Sequence, residues 1–401
     1  MIASTSPSQR LHGWLTHYVL PLGLVALLTG MFWVGDRSYY HKVYYLLVAL
    51  PTFVALLAAP KRIGQGARNG IFLCFLALAA YTMISLSWSG TDNSHSSLLK
   101  RPLYIALLLY SVALIALEDR GKLEKILNLS IWIAALSAVA SLIYFFEMGH
   151  RGRFKGYGAL YNPLLTSHVY GMFAALTLAA LFVRSRNMLL SLVLFAIFST
   201  LLLKTGSRTP LLGLCGALLW LALLDFSRRS LWILAGAGVA AAVLLLLMPQ
   251  AIIARGFSYR PEIWTQAWQQ IVERPWIGHG YDHPMVFWVK GIRYAFADPH
   301  NMELAMLFSG GIVGLVLWLL LYGVALRFAW QHRKDSLVVL ASTAVVFGFT
   351  AGLTEGNSFM SRPKEHWFLI WIPMALLAGA WLTKPDRLSS RLEPSTGNTS
   401  T

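Results

Sequence analysis

The sequence predicts an all-α polytopic membrane protein with about twelve transmembrane helices and one large loop, on the far side of the membrane, that contains an amphipathic helix. Three observations predict it. Hydrophobic residues fill 57% of the 401 positions and charged residues 12%, against roughly 25% charged in soluble domains. The apolar residues fall in runs close to the ~20 that cross a ~30 Å hydrocarbon core. The polar segments between runs alternate in character, with short basic ones on one side, as repeated crossing requires.

Taken in order, an N-terminal segment, 1–16, comes first. MIASTSPSQRLHGW precedes a long apolar run and lacks a small-residue cleavage site, so that run is read as a retained span. Within 17–248 lie nine runs: 17–35, 43–59, 70–87, 101–117, 126–147, 166–183, 188–203, 210–226 and 231–248, the last closed by Pro249. A polar stretch, 249–301, interrupts them. Three more runs follow within 302–382, at 302–326, 337–353 and 366–382. The remainder, 383–401, is polar and low in hydrophobics and reads as a disordered tail. An even number of spans puts both termini on one side. With the N-terminus cytoplasmic, the inside loops are PKRIGQGARN, EDRGKLEK, RSRN, SRRS and RFAWQHRKDS, plus a tail holding Lys384, Arg387 and Arg391. Each is short and basic.

The formal net charge is +16. Nucleic acid is a poor match, because the basic residues are dispersed between apolar segments instead of gathered on one soluble face. Anionic lipid headgroups and lipid-linked phosphates are better partners. Cys74 and Cys215 both fall within predicted spans and read as small buried residues, with no disulfide or metal signal.

Positive charge on the outer side opposes the topology rule, yet it occurs at particular places: Arg151, Arg153 and Lys155; Lys204 and Arg208; and Arg255, Arg260, Arg274, Lys290 and Arg293. A long loop is exempt from the rule. As a set, these residues point to an external site for an anionic substrate, since the guanidinium fork binds phosphate oxygens in pairs.

The stretch Arg260–Gly314 holds three of the eleven His and four Trp. Ile263, Trp264, Ala267, Trp268, Ile271 and Val272 recur at helical spacing, with Glu262, Gln266, Gln269, Gln270 and Glu273 mostly between them. That is an amphipathic helix with Pro261 in its first turn, expected to lie along the outer surface over the spans. Pro275 ends it, and WIGHGYDHP reads as a turn-rich connector.

His300 follows Asp298-Pro299 at the mouth of a span. A helix N-terminus favours the neutral imidazole, which suits a general base; the alternative is a His that merely caps the span. Asn301 is placed to orient His300, contact a sugar or cap the helix. Glu303, three residues on, shares a helix face with His300 and is a candidate to orient it, the alternative being a favourable acid in the helix's first turn. Arg208 sits in LLLKTGSRTPLLG, a tight turn that with Lys204 can present donors to a phosphate. Arg153, in HRGRFKGYGALYNP, and Arg260, opening the amphipathic helix, complete the candidates. His279 and His283 lie among Gly and Pro and lack the scaffold and third ligand of a metal site. There is no Walker A loop, G-x-S-x-G elbow, H-E-x-x-H motif or DXD-like pair. A reaction here would use an activated donor already in the membrane.

Three segments resemble the O-antigen ligase/polymerase superfamily: GRFKGYGALYNP, TGSRTPLLG, and RPEIWTQAWQQIVERPWIGHGYD followed by PHNMELAMLFSGGIVG. The likeness covers about residues 150–320 and is nearest the ligases. It implies an inner-membrane glycosyltransferase that needs neither metal nor cofactor, with its active site facing the periplasm. The donor would be O-antigen on undecaprenyl diphosphate and the acceptor a sugar hydroxyl of lipid A-core oligosaccharide, with inversion. The family's essential His corresponds to His300, and its essential Arg residues to Arg208 and Arg260, with Arg153 a further match. O-antigen polymerases and protein O-oligosaccharyltransferases share the signature. A transporter would instead show mid-span charges or paired broken helices, and the charges here cluster at span ends.

Overall fold

The computed structural model describes residues 6–66, 68–149, 152–183, 187–247 and 259–383. Arg151, Arg255, Pro249, most of the RSRN loop and the tail beyond Thr383 lie outside the described residues. Thirteen helices of twelve or more residues organise the rest: α1 Pro7–Phe32, α2 Arg37–Ala58, α3 Gly70–Trp88, α4 His95–Glu118, α5 Arg120–Glu147, α6 Pro163–Phe182, α7 Met188–Thr205, α8 Thr209–Leu224, α9 Arg228–Leu247, α10 Arg260–Ile271, α11 Met302–Gln331, α12 Ser336–Gly352 and α13 Glu365–Leu382. Extended pairing among the described residues is limited to a single bridge, Phe287 with Phe296.

Among the described residues, nine helices are long and apolar enough to cross a membrane, fewer than the twelve expected. The shortfall has a physical reason. Helices α8 and α12 are apolar but have only 16 and 17 residues, about 24–26 Å at 1.5 Å per residue. Helix α8 starts, and α12 stops, where the chain turns to present Arg208 and Glu355. Helix α9 adjoins residues outside the described set.

The interior is built from α6 and α13, whose membrane-length windows are each 89% buried. Helix α8 packs on α12, α13 on α4, α7 on α6 and α11 on α3. Small residues bring the backbones together. A Cβ on Gly348 of α12 would fall 1.6 Å from the Leu369 carbonyl oxygen, and one on Gly213 of α8 would meet the Phe347 ring at 2.7 Å.

The connecting segments collect at two ends. At one, Glu118 meets His12 (3.5 Å) and Arg62 (3.0 Å), and Arg120 pairs with Asp335. At the other, Arg37 reaches Glu365 (2.7 Å), Thr91 reaches Asp282 (2.8 Å), Arg153 reaches the Thr205 carbonyl (2.7 Å) and Arg260 the Thr354 carbonyl (3.0 Å).

The amphipathic helix is present as α10 and packs on α11, as expected of a helix lying over the spans, but part of its apolar face has a further partner. Ile263 and Ala267 pack with Phe287 and Val289 of the same loop into a small satellite core, fringed by Trp264, Met285, Ile292 and Phe296. Its polar side chains are used as well. Gln266 exchanges hydrogen bonds with the Trp288 backbone, and Gln270 donates to the Val286 carbonyl at 2.9 Å.

The glycine motifs explain how this loop is seated. Helix α11 is broken at Gly311 (φ 60°, ψ −162°). Backbone groups freed in an apolar bundle must find new partners. Segment 275–280 supplies them. Ile312 N donates to Pro275 O (2.8 Å), His279 N to Phe308 O (2.8 Å) and Gly280 N to Ser309 O (2.9 Å). Gly278 lies so close that a Cβ would come 2.5 Å from Gly311 N.

Candidate functional site

The second loop end carries a compact cluster of charge. Asp298-Pro299 keeps the chain out of helix before α11. The Asp298 carboxylate accepts from the His300 amide at 2.7 Å, and His300 takes a left-handed φ of 50°, unusual for a residue with a side chain. The indole of Trp264 on α10 donates to the Pro299 carbonyl at 2.8 Å. Asn301 caps α11 by accepting from Leu304 N (2.9 Å), and its amide donates to the Leu353 carbonyl (3.0 Å). His300 is thus held by α10, α11 and the end of α12 together.

Its imidazole meets Glu355, a residue the sequence reading did not select. Nδ1 of His300 lies 3.2 Å from Glu355 Oε2, with 4% of the Glu355 side chain exposed and 27% of the His300 side chain. Arg260 Nη2 is 3.6 Å from the same oxygen. The Arg260 guanidinium also donates twice, through Nε and Nη2, to the Thr354 carbonyl (3.2 and 3.0 Å). The Thr354 hydroxyl reaches Thr209 Oγ1 at 3.4 Å, which sets the start of α8, and Arg208 beside it, against the same segment. Residues 354–355 therefore gather His300, Arg260 and the Arg208 turn.

Arg153 belongs to the edge of this cluster. Its Nε donates to Thr205 O at 2.7 Å, and Phe154 N donates to Lys204 O at 2.8 Å, so the 153–155 segment braces the turn that ends in Arg208. Lys204 turns elsewhere, with its ammonium over the Phe146 ring at 5.2 Å. Glu303 is not the partner of the imidazole. It lines a small gap with Trp318 and Tyr322 inside the bundle. His279 stacks on Phe308 (4.5 Å between ring centres) and bonds the Gln270 carbonyl (2.8 Å), while His283 Nδ1 accepts from Gly90 N (3.1 Å). Both serve to seat the loop.

The electrostatics departs from a simple helix-end argument. Burial pulls the His300 imidazolium down, but the hydrogen bond and charge of Glu355, with Asp298, outweigh it and move His300 above its ordinary 6.5. Burial pushes Glu355 up, yet His300, His168 and Arg260 hold it below the usual value. Burial, with Glu355 nearby, raises Asp298. Lys364, also at this end, is brought down to about 8, mainly by burial. The ligand atoms of Asp298, His300 and Glu355 lie within 4.8 Å of one another, a spacing a metal ion can use. Arg260 already places a positive charge against Glu355 there.

Beside Arg153 opens a cavity of about 1100 Å³ lined by Phe32, Trp33, Tyr144, Tyr157 and Lys155 among others. Aromatic and apolar walls with cations at one side suit an apolar chain bearing an anionic head.

A family model described as O-antigen ligase matches residues 192–319, a range that includes Arg208, Arg260 and His300 but not Glu355. The chain is 50% identical over 398 residues to an O-antigen ligase of Pseudomonas aeruginosa, covering 98% of this chain and 99% of that protein. It is 26% identical over 337 residues to an O-antigen ligase of Salmonella typhimurium, covering 76% of this chain and 81% of that one.

Proposed function

The chain belongs to the O-antigen ligase family, and from that premise we propose that it moves O-antigen from undecaprenyl diphosphate to a sugar hydroxyl of lipid A-core at the periplasmic face of the inner membrane. The observation that carries this reading is the His300–Glu355 pair with Arg260 against the same carboxylate. Such a constellation can remove a proton and steady a departing diphosphate in one place.

In this scheme Glu355 fixes the imidazole through Nδ1 and leaves Nε2 toward the acceptor. The acceptor hydroxyl loses its proton to His300 as it attacks the anomeric carbon of the donor sugar. The bond from that carbon to the diphosphate oxygen breaks on the opposite face, and the configuration inverts. Negative charge grows on the leaving oxygen, and Arg208 and Arg260 stabilise it, with Arg153 nearer the entrance. Neither a metal nor a nucleotide is required, because the lipid diphosphate is already a competent leaving group. The polyprenyl chain lies in the cavity beside Arg153, and surrounding lipids complete the environment. Helices α8, α9 and α12 complete twelve spans, and 249–301 forms the periplasmic loop. Asn301 secures the segment that carries His300; Glu303 and Lys204 stand outside the reacting centre.

The test is reconstitution. Purified protein in lipid nanodiscs receives the lipid-diphosphate-linked glycan with lipid A-core, with a second lipid-linked glycan, or with an acceptor protein. Capped lipid A-core alone is the expected product. Elongated lipid-linked glycan would reassign the chain as a polymerase, and glycosylated protein as an oligosaccharyltransferase.

A further inference from the structure

We propose that a second, smaller pocket beside the His300–Glu355 pair holds the terminal sugar of the acceptor, with its nucleophilic edge toward His300. This rests on the reading of the chain as a glycosyltransferase. The pocket encloses about 290 Å³, at the small end of ligand sites. It has room for a terminal sugar, and not for a polymer or a lipid chain.

One wall is a fixed polar surface. Asp282 Oδ1 accepts from Arg101 Nη1 (3.0 Å), and Oδ2 accepts from Thr91 Oγ1 (2.8 Å) and Asn93 Nδ2 (2.7 Å). These bonds hold Asp282 at a left-handed φ of 65°, a strain that persists only where the surroundings over-determine it. Among the described residues Arg101 bonds protein only through Nη1, to Asp282 and to the Tyr281 hydroxyl. Its Nε and Nη2 remain as donors beside the pocket, in a planar fork that suits paired oxygens. The rest of the lining includes apolar surface: the Phe359 ring against that of Tyr281 (5.7 Å between centres), with Met285 and Met360. A sugar ring presents these two characters, hydroxyls at its edge and C–H groups on its faces.

The floor ties the pocket to the chemistry. Asn357 Nδ2 donates to the Ala297 carbonyl at 3.2 Å, and Asn357 Oδ1 accepts from Ser358 Oγ at 2.6 Å. Ala297 stands three residues before His300, and Asn357 two after Glu355. The strap that closes the pocket is therefore the one that carries the proton-accepting pair. The larger cavity is lined by Arg153, which bonds the carbonyl of Thr205 three residues before Arg208, and shares no lining residue with this pocket, so donor and acceptor have separate places to bind.

The experiment combines steady-state transfer by the full-length protein with binding of delipidated core oligosaccharide. The variants are Asn93→Ala, Ser358→Ala and Arg101→Lys. Asn93 is exposed, and Asp282 keeps its bonds to Thr91 and Arg101 without it, so its variant is expected to fold, and a thermal melt checks all three. The expected result is about a tenfold rise in acceptor KM, the loss of one to two hydrogen bonds, with donor KM unchanged and oligosaccharide binding weakened in parallel. A rise in donor KM, or unchanged acceptor KM in well-folded variants, overturns the pocket assignment while leaving the ligase reading in place. If the wild type transfers nothing to lipid A-core yet binds the oligosaccharide, and the variants lose that binding, the pocket stands and the ligase reading falls. If the wild type neither transfers nor binds, both fall.

Discussion

Glu355 and His300 meet across 55 residues of chain, carboxylate oxygen to Nδ1, at 3.2 Å. The carboxylate is buried and the imidazole partly exposed, with Nδ1 turned to the carboxylate. That order fixes which nitrogen carries the proton and which one can take another. It also makes the imidazole more basic and stabilises the imidazolium that forms during transfer.

Glu355→Gln is therefore expected to fold, to bind donor and to lose at least about 10²-fold in turnover, the lower range for general-base catalysis. The pH profile separates this from general damage. Glu355 and Asp298 hold His300 above 6.5, and the base works only when neutral. The wild-type rate thus falls as pH drops through a value above 6.5. With Gln at position 355 the carboxylate charge is gone, His300 stays neutral to lower pH, and the acidic limb moves down. An acidic limb that stays in place would mean that Glu355 supports the fold and not the base.

Arg260 and Arg208 give a second prediction. Arg260 makes two donations to the Thr354 carbonyl and one contact to Glu355, which orients the rest of its fork. Lysine keeps the charge and loses the fork. Each Arg→Lys variant is expected to lose about 10²–10³ in kcat, the scale of one oxyanion-stabilising contact. Single-turnover rates on membrane-inserted protein measure it, and near-normal turnover would leave these residues a diffuse electrostatic role.

Much of this was legible in the sequence because it is contiguous. The amphipathic helix, the Pro-x-x-Gly-x-Gly step and His300 lie on one loop, and polar punctuation in an apolar chain marks them clearly. Glu355 was not selected, because a single acid at the end of a span has no periodicity and no motif around it. A signal existed nonetheless. It is the only acid between Ser336 and Lys364, and an isolated ionisable residue at the edge of a span is a functional hypothesis in its own right. The Glu303 expectation failed to place the imidazole's partner because helical spacing says which residues share a face, not which neighbouring helix supplies a better one. The count of long spans was overestimated for a related reason: hydropathy does not mark where α8 and α12 give way to the turns of the site.

The break in α11 yields a third prediction. Gly311 has φ 60°, and a Cβ there would meet the Trp276 carbonyl at 2.4 Å. Gly311→Ala and Gly278→Ala are each expected to unseat segment 275–280 and with it the loop that carries His300. Gly323 lies in the same helix with nothing within 4 Å of its Cβ position, so Gly323→Ala should be neutral or slightly stabilising. Detergent-solubilised melting temperatures compare the three. Equal stability would mean that the close backbone approach is not required.

Topology gives a fourth. Lys290 is exposed in the long loop, which stands at the same end as Arg208 and Glu355. In a background with Cys74 and Cys215 replaced, Lys290→Cys should react with a membrane-impermeant thiol reagent in intact spheroplasts. A cysteine in place of exposed Arg333, at the opposite end, should react only after lysis. The reverse pattern would turn the molecule over in the membrane and move the site to the cytoplasm.

The last prediction concerns His300 itself. A base acts only on the way to the transition state, so its removal should lower kcat far more than it weakens donor binding. His300→Ala is expected to lose about 10²–10⁴ in turnover. It also takes from the buried Glu355 its hydrogen-bond partner, leaving Arg260 and His168 as the nearby groups, so some loss of stability should accompany it. His300→Gln separates the two effects. Glutamine keeps a donor that can reach Glu355, and much of the volume, but takes no proton near neutral pH. Stability should therefore recover in the Gln variant while turnover stays nearly as low as in Ala. Melting temperature and single-turnover rate, measured on the same preparations, read both. If Gln restores most of the rate, His300 positions the acceptor by hydrogen bonding, and the proton leaves by another route. If both variants lose donor binding, His300 belongs with Arg208 and Arg260 at the diphosphate, and the division of labour proposed for this site is wrong.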